Sequence, residues 1–228
     1  MKESNNNDYK YKAFAVVAIS LLACIAIIAV ELLLQPSYVG KSAVKVILFF
    51  FSIAIYHGVF HLRIQKISVN KRILKLCICL SVLIFFMILL SYMCVQNYID
   101  VDQIKTSLLK KEHITKYNFI YVAVYISLIN SFIEEAFFRG FVFCNLKEIN
   151  YCKFDSFYSA LLFALYHIGI MSNWFQPFIF LITLLALFGA GLVLNCFTHK
   201  GGSFLCSWPI HIAANLGINA VGIWILWN

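Results

Sequence analysis

"YNFIYVAVYISLINSFIEEAFFRGFVFCNL", residues 117–146, is a mostly apolar run interrupted by Glu134, Glu135 and Arg139. It exceeds the roughly 20 residues that cross a bilayer core as a helix. An ionisable side chain at the centre of such a helix costs about 2.5–3.5 kcal/mol on insertion scales, so these three are expected to face a bundle interior and mark a functional site. Charge is scarce elsewhere too. Of the 228 residues 62% are hydrophobic and 12% charged, against about 25% charged in a soluble domain. The expected fold class is therefore all-α, a polytopic transmembrane helix bundle of about seven spans.

The apolar runs place these spans at 13–34, 46–62, 73–94, 117–146, 157–171, 175–197 and 204–226. The first is longer than the 7–15 residues of a signal-peptide core and lacks a small-residue cleavage site, so it reads as a retained span. Between the second and third lies "RIQKISVNKRILK", basic and free of acid, which the positive-inside rule assigns to the cytoplasm together with the N-terminus. The C-terminus is then outside, with Trp174, Trp224 and Trp227 at outer-interface depths. A net charge of +8 could suggest nucleic acid, but the lysines cluster at span ends and read as topology signals, so no nucleic-acid partner is expected. Eight cysteines, none in CxxC spacing, read as small hydrophobes and not as disulfides or a metal site. Residues 1–116 form three spans and an outer loop, and 117–228 four spans carrying the chemistry, within one compact membrane domain. Small size and the absence of organelle signals point to a bacterial plasma membrane.

Glu135 and Arg139 stand four apart, the spacing of a helical ion pair. Glu134, about 100° round the helix, is left to point elsewhere. The fifth span contains "FALYH", which puts Phe163 and His167 on one face, and the last contains "HIAAN", which does the same for His211 and Asn215. At 1.5 Å per residue Glu134, His167, His211 and Asn215 lie roughly 18, 15, 10 and 16 Å from the inner ends of their spans, a shared level. Such a set fits a proton-transferring or metal-holding cavity better than unrelated salt-bridge knots. Pro209 is expected to kink the last span beside it. His57 and His61 have a metal-like HxxxH spacing but no acid in their span, and read as packing or interfacial residues. Glu31 is expected to reach the interface.

These motifs resemble the CAAX-protease and bacteriocin-processing (CPBP, or Abi) intramembrane proteases, whose pattern is EExxxR, then FxxxH, then HxxxN. Here it falls on Glu134, Glu135 and Arg139, on Phe163 and His167, and on His211 and Asn215, and the likeness covers about residues 120–220. The resemblance implies an intramembrane endopeptidase acting on a membrane-associated peptide or protein.

On that reading Glu134 is the general base for a hydrolytic water, and His167 shares its orientation and proton transfer. Glu135, held by Arg139, is the positioning partner, while His211 and Asn215 donate to the oxyanion. The cofactor is none or Zn: Glu134, Glu135, His167 and His211 are suitable zinc ligands, but Arg139 opposes a cation beside Glu135. The alternative is a non-enzymatic membrane immunity or scaffold protein that uses the charged cluster structurally.

Overall fold

The computed structural model describes residues 2–60, 68–148, 154–171 and 174–227. Among them no strand occurs, and seven helices are long and apolar enough to cross a membrane: Asp8–Leu34, Tyr38–Val59, Lys71–Tyr98, Phe119–Lys147, Phe154–Met171, Pro177–Gly201 and Trp208–Trp227. The all-α expectation holds. His61 and Cys152 lie outside the described residues.

The second span corrects the expected boundary at 46. Its helix begins at Tyr38, where the Ser37 hydroxyl accepts from the Gly40 amide at 3.5 Å. Lys41, Lys45, Phe49, Ser52 and Tyr56 form its buried stripe, successive positions three or four apart and therefore on one helical face. The two lysines belong to the interior of the bundle and not to its flank. Glu31 is likewise buried, 2.9 Å from Lys41 Nζ, instead of reaching the interface. Lys41 also contacts Glu112 at 2.7 Å, which ties the segment between the third and fourth spans to this end of the bundle. Ile104, Leu108 and Ile114 of that segment pack with Phe119, Ile225 and Leu226 in an apolar cluster.

The main core joins the first, second, fourth and fifth spans. Val16 and Cys24 meet Phe49 and Tyr56 there, along with Phe137, Phe138, Phe163 and Tyr166. Phe49 stacks on Phe137 at 3.8 Å between centroids. Close backbone approach sets the fifth span against the sixth, where a Cβ on Gly191 would stand 2.9 Å from Ala160.

The fourth span is wider than an ordinary α-helix over much of its length. π-helical turns at Tyr125–Asn130 and Ala136–Phe143 flank a short α-helical piece, Ser131–Glu135. Such π-turns occur frequently at functional sites. At the opposite end from Ser37, Gly202 closes the sixth span with φ of 73°, a left-handed cap that glycine adopts without strain. The Asn70 amide donates to the Gly201 carbonyl at 3.0 Å, joining the start of the third span to the end of the sixth.

The last span starts at Trp208, so Pro209 sits in its first turn. An amide hydrogen there would have no partner in the helix anyway. The expected kink is absent because no ladder bond is lost.

Candidate active site

Two adjacent glutamates leave the Ser131–Glu135 helix in different directions and collect different partners. Glu135 is fully buried, with Oε1 3.1 Å from Arg139 Nη1 and 2.9 Å from His211 Nδ1. The Ser207 hydroxyl donates to its Oε2 at 2.5 Å, and Thr198 Oγ1 lies 2.9 Å from that hydroxyl. Arg139 is fully buried too. Its guanidinium nitrogens have no aligned hydrogen-bond acceptor among the described residues, so its charge is met by Glu135 and by the face of Phe163, 4.2 Å from the ring centre. A cation over an aromatic face is attracted by the ring quadrupole, most strongly away from water.

Glu134 is 2% exposed. Its Oε1 accepts from the Asn130 amide at 2.7 Å and the Tyr166 hydroxyl at 2.8 Å, and Lys45 Nζ stands 3.4 Å away. Its Oε2 faces His211 Nε2 at 3.6 Å. His211 thus stands between the two carboxylates and reaches each through a different ring nitrogen. With Nδ1 against Glu135, the tautomer set by that contact is Nδ1–H donating to the carboxylate.

His167 sits where the fifth span loses its regular helical bonding, its amide donating to the Ala164 carbonyl at 3.1 Å. Its Nδ1 donates to the Phe163 carbonyl at 2.7 Å, which leaves Nε2 as the ring's acceptor. Phe163 lies between the two histidines, with centroids 4.7 Å from His167 and 5.7 Å from His211. Asn215 lies one turn beyond His211, and its amide donates to the Ile126 carbonyl at 3.1 Å, two turns before the glutamates. Glu134, Glu135, Arg139 and His211 are therefore in direct contact. His167 joins through Phe163 and its neighbour Tyr166, and Asn215 is anchored to the fourth-span backbone.

Lys45, Asn130, Tyr166 and Ser207 also touch the glutamates and were not among the residues singled out from sequence. Two had a local signal, because Asn130 is four residues before Glu134 and Tyr166 precedes His167. Lys45 and Ser207 reach the carboxylates only through the tertiary fold.

A zinc site was the alternative for Glu134, Glu135, His167 and His211. Two cations held by the fold weigh against one. Each carboxylate already faces a cation from this chain, Lys45 and Arg139 respectively, whereas the backbone bond at His167 Nδ1 leaves Nε2 open.

Residues 116–217 match the protein family described as type II CAAX prenyl endopeptidase Rce1-like, the family the motifs resemble. The matched segment contains all six predicted site residues and leaves out Lys45. No curated protein and no solved structure matches the chain.

Proposed function

We propose that this member of the CAAX-protease family hydrolyses a peptide bond of a membrane-associated peptide or protein with a water activated by Glu134. The observation that carries the reading is the meeting of Glu134, Glu135 and His211. Two carboxylates from the fourth span and an imidazole from the last converge within 3.6 Å, and Arg139 compensates one carboxylate alone.

In this reading the water oxygen forms a bond to the substrate carbonyl carbon as one water proton passes to Glu134 Oε2. His167, whose Nε2 is free to accept, orients that water. The negative charge that develops on the carbonyl oxygen is stabilised by His211, when Nε2 also carries a proton, and by the remaining amide hydrogen of Asn215. Removing one donor of this kind typically lowers rate about 10²–10³-fold. The proton on Glu134 then passes to the amide nitrogen as the C–N bond breaks. Glu135 exchanges no proton. It fixes the His211 ring from the opposite side, and Arg139 and Ser207 hold it there. No step is routed through a metal, a choice supported by the two cations already facing the carboxylates.

The deciding experiment compares membrane and secreted peptides between cells carrying the wild type and Glu134→Gln. The expected result is an intact precursor that persists only in the variant, with the variant protein present at normal level. Identical peptide profiles would overturn the protease reading and favour a structural role for the cluster. The family's description makes a prenylated peptide ending in a CAAX sequence the first defined substrate to try.

A further inference from the structure

Glu134 is gripped by groups that the hydrolysis leaves unused. Asn130, Tyr166 and Lys45 all act on Oε1, at 2.7, 2.8 and 3.4 Å. They come from the fourth, fifth and second spans. Lys45 is itself fixed by two further contacts, donating to Asn130 Oδ1 at 2.9 Å and lying 5.2 Å from the centre of the Tyr166 ring. It is 8% exposed, so it does not act as a span-end anchor, whose ammonium would turn out to the interface. A lysine buried among spans is expensive unless paired, and by default it marks function. This one lies outside the segment 116–217 that matches the family.

We infer that Lys45 is a positioning residue for Glu134: with Asn130 and Tyr166 it clamps Oε1, so that Oε2 is the oxygen presented to the substrate water. The inference rests on the reading of Glu134 as general base. A carboxylate on a flexible side chain offers two equivalent oxygens and can turn about its terminal bond. Three donors from three helices on one oxygen remove that freedom and leave the other facing His211. The Lys45 ammonium takes no part in bond making. The proton moves from water to Oε2 and on to the leaving nitrogen. Displacing a reacting group by about 1 Å is enough to lower rate about 100-fold, which is the scale expected for losing the clamp.

The test uses the full chain in detergent, labelled with ¹³C-carboxyl glutamate. Subtracting the infrared spectrum of Glu134→Gln from that of the wild type isolates the Glu134 carboxylate band. Lys45→Met is expected to displace this band, Lys45→Arg to leave it near its original place, and Lys110→Met, at an exposed position, to leave it unchanged. Tyr166→Phe removes one donor while keeping the lysine, and should displace the band less but detectably. It keeps the inference testable if Lys45→Met does not fold. On the peptide that accumulates with Glu134→Gln, Lys45→Met should lower kcat about 100-fold with KM little changed, and Lys45→Arg should restore most of it. Bands of Lys45→Met or Tyr166→Phe that superimpose on the wild type would overturn the clamp, as would a raised KM with unchanged kcat. If no peptide accumulates with Glu134→Gln, the protease reading falls, while the infrared comparison still decides whether Lys45 holds Glu134.

Discussion

His211 Nδ1 lies 2.9 Å from Glu135 Oε1 although 76 residues separate the two, and this contact fixes the last span's histidine against the fourth span's acid. Arg139 and Ser207 act on the same carboxylate, so Glu135 neutralises a fully buried guanidinium, whereas Glu134 is held by Asn130, Tyr166 and Lys45. The two glutamates should therefore respond differently to the same change.

Glu135→Gln leaves Arg139 buried without an ion-pair partner, and Arg139→Ala leaves Glu135 without its guanidinium. Breaking one side of a buried pair typically costs about 3–5 kcal/mol, so each variant should melt well below the wild type in a fixed detergent. The double variant Glu135→Gln/Arg139→Met should lose less than the sum of its parts, since residues in one network are coupled. Glu134→Gln should melt closer to the wild type, because Lys45 keeps its bond to Asn130 Oδ1. Strict additivity in the double variant would count against the network.

Chelation should leave activity unchanged. With Lys45 beside Glu134 and Arg139 beside Glu135, a divalent ion placed between the carboxylates would meet two positive charges held by the fold. Treating purified protein with a strong chelator, then measuring metal content and turnover of the accumulating peptide, checks this. Activity lost on chelation and restored by zinc would sink the metal-free mechanism.

Apolar length is what a bilayer selects, so the seven spans were legible from their runs alone. The second was misplaced at its start because a lysine reads the same in sequence whether it turns to the interface or to a buried carboxylate. Lys41 and Lys45 are distinguished from flanking residues by partners that the fold brings to them, Glu31 and Glu112 for the first and Glu134, Asn130 and Tyr166 for the second. The pairing of Glu135 with Arg139 was legible because a single helix sets it. The anchoring of Asn215 was not: only the fold brings its amide to the Ile126 carbonyl. Pro209 was read as a kink because the helix was assumed to begin before it.

Close packing of the fifth and sixth spans should be sensitive at one glycine and tolerant at its neighbour. A Cβ on Gly191 would stand 2.9 Å from both Cα and Cβ of Ala160, whereas at Gly189 nothing lies within 4 Å. In membranes small residues allow the backbones to approach, and pushing them apart loses contacts along both helices. Gly191→Val should lower the melting midpoint in detergent, while Gly189→Ala should leave it unchanged or raise it slightly by removing glycine from a helix interior. Equal midpoints for the two variants would contradict the packing.

The ion cluster at Lys41 should govern how tightly the segment between the third and fourth spans is held. Lys41 is 6% exposed and joins Glu31 at 2.9 Å to Glu112 at 2.7 Å. Lys41→Met removes the shared cation and leaves two carboxylates facing each other with their compensation gone, a like-charge contact in a poorly solvated place. The segment's apolar hold through Ile104, Leu108 and Ile114 remains, so it should loosen and not detach from the core. Limited trypsin digestion in detergent reads this directly at Lys105 and Lys110. Cleavage there should be faster in Lys41→Met than in the wild type, and Glu112→Gln, which leaves the Glu31 pair in place, should fall between. Unchanged cleavage in Lys41→Met would mean that the apolar contacts alone hold the segment and that the buried ion cluster contributes little to it.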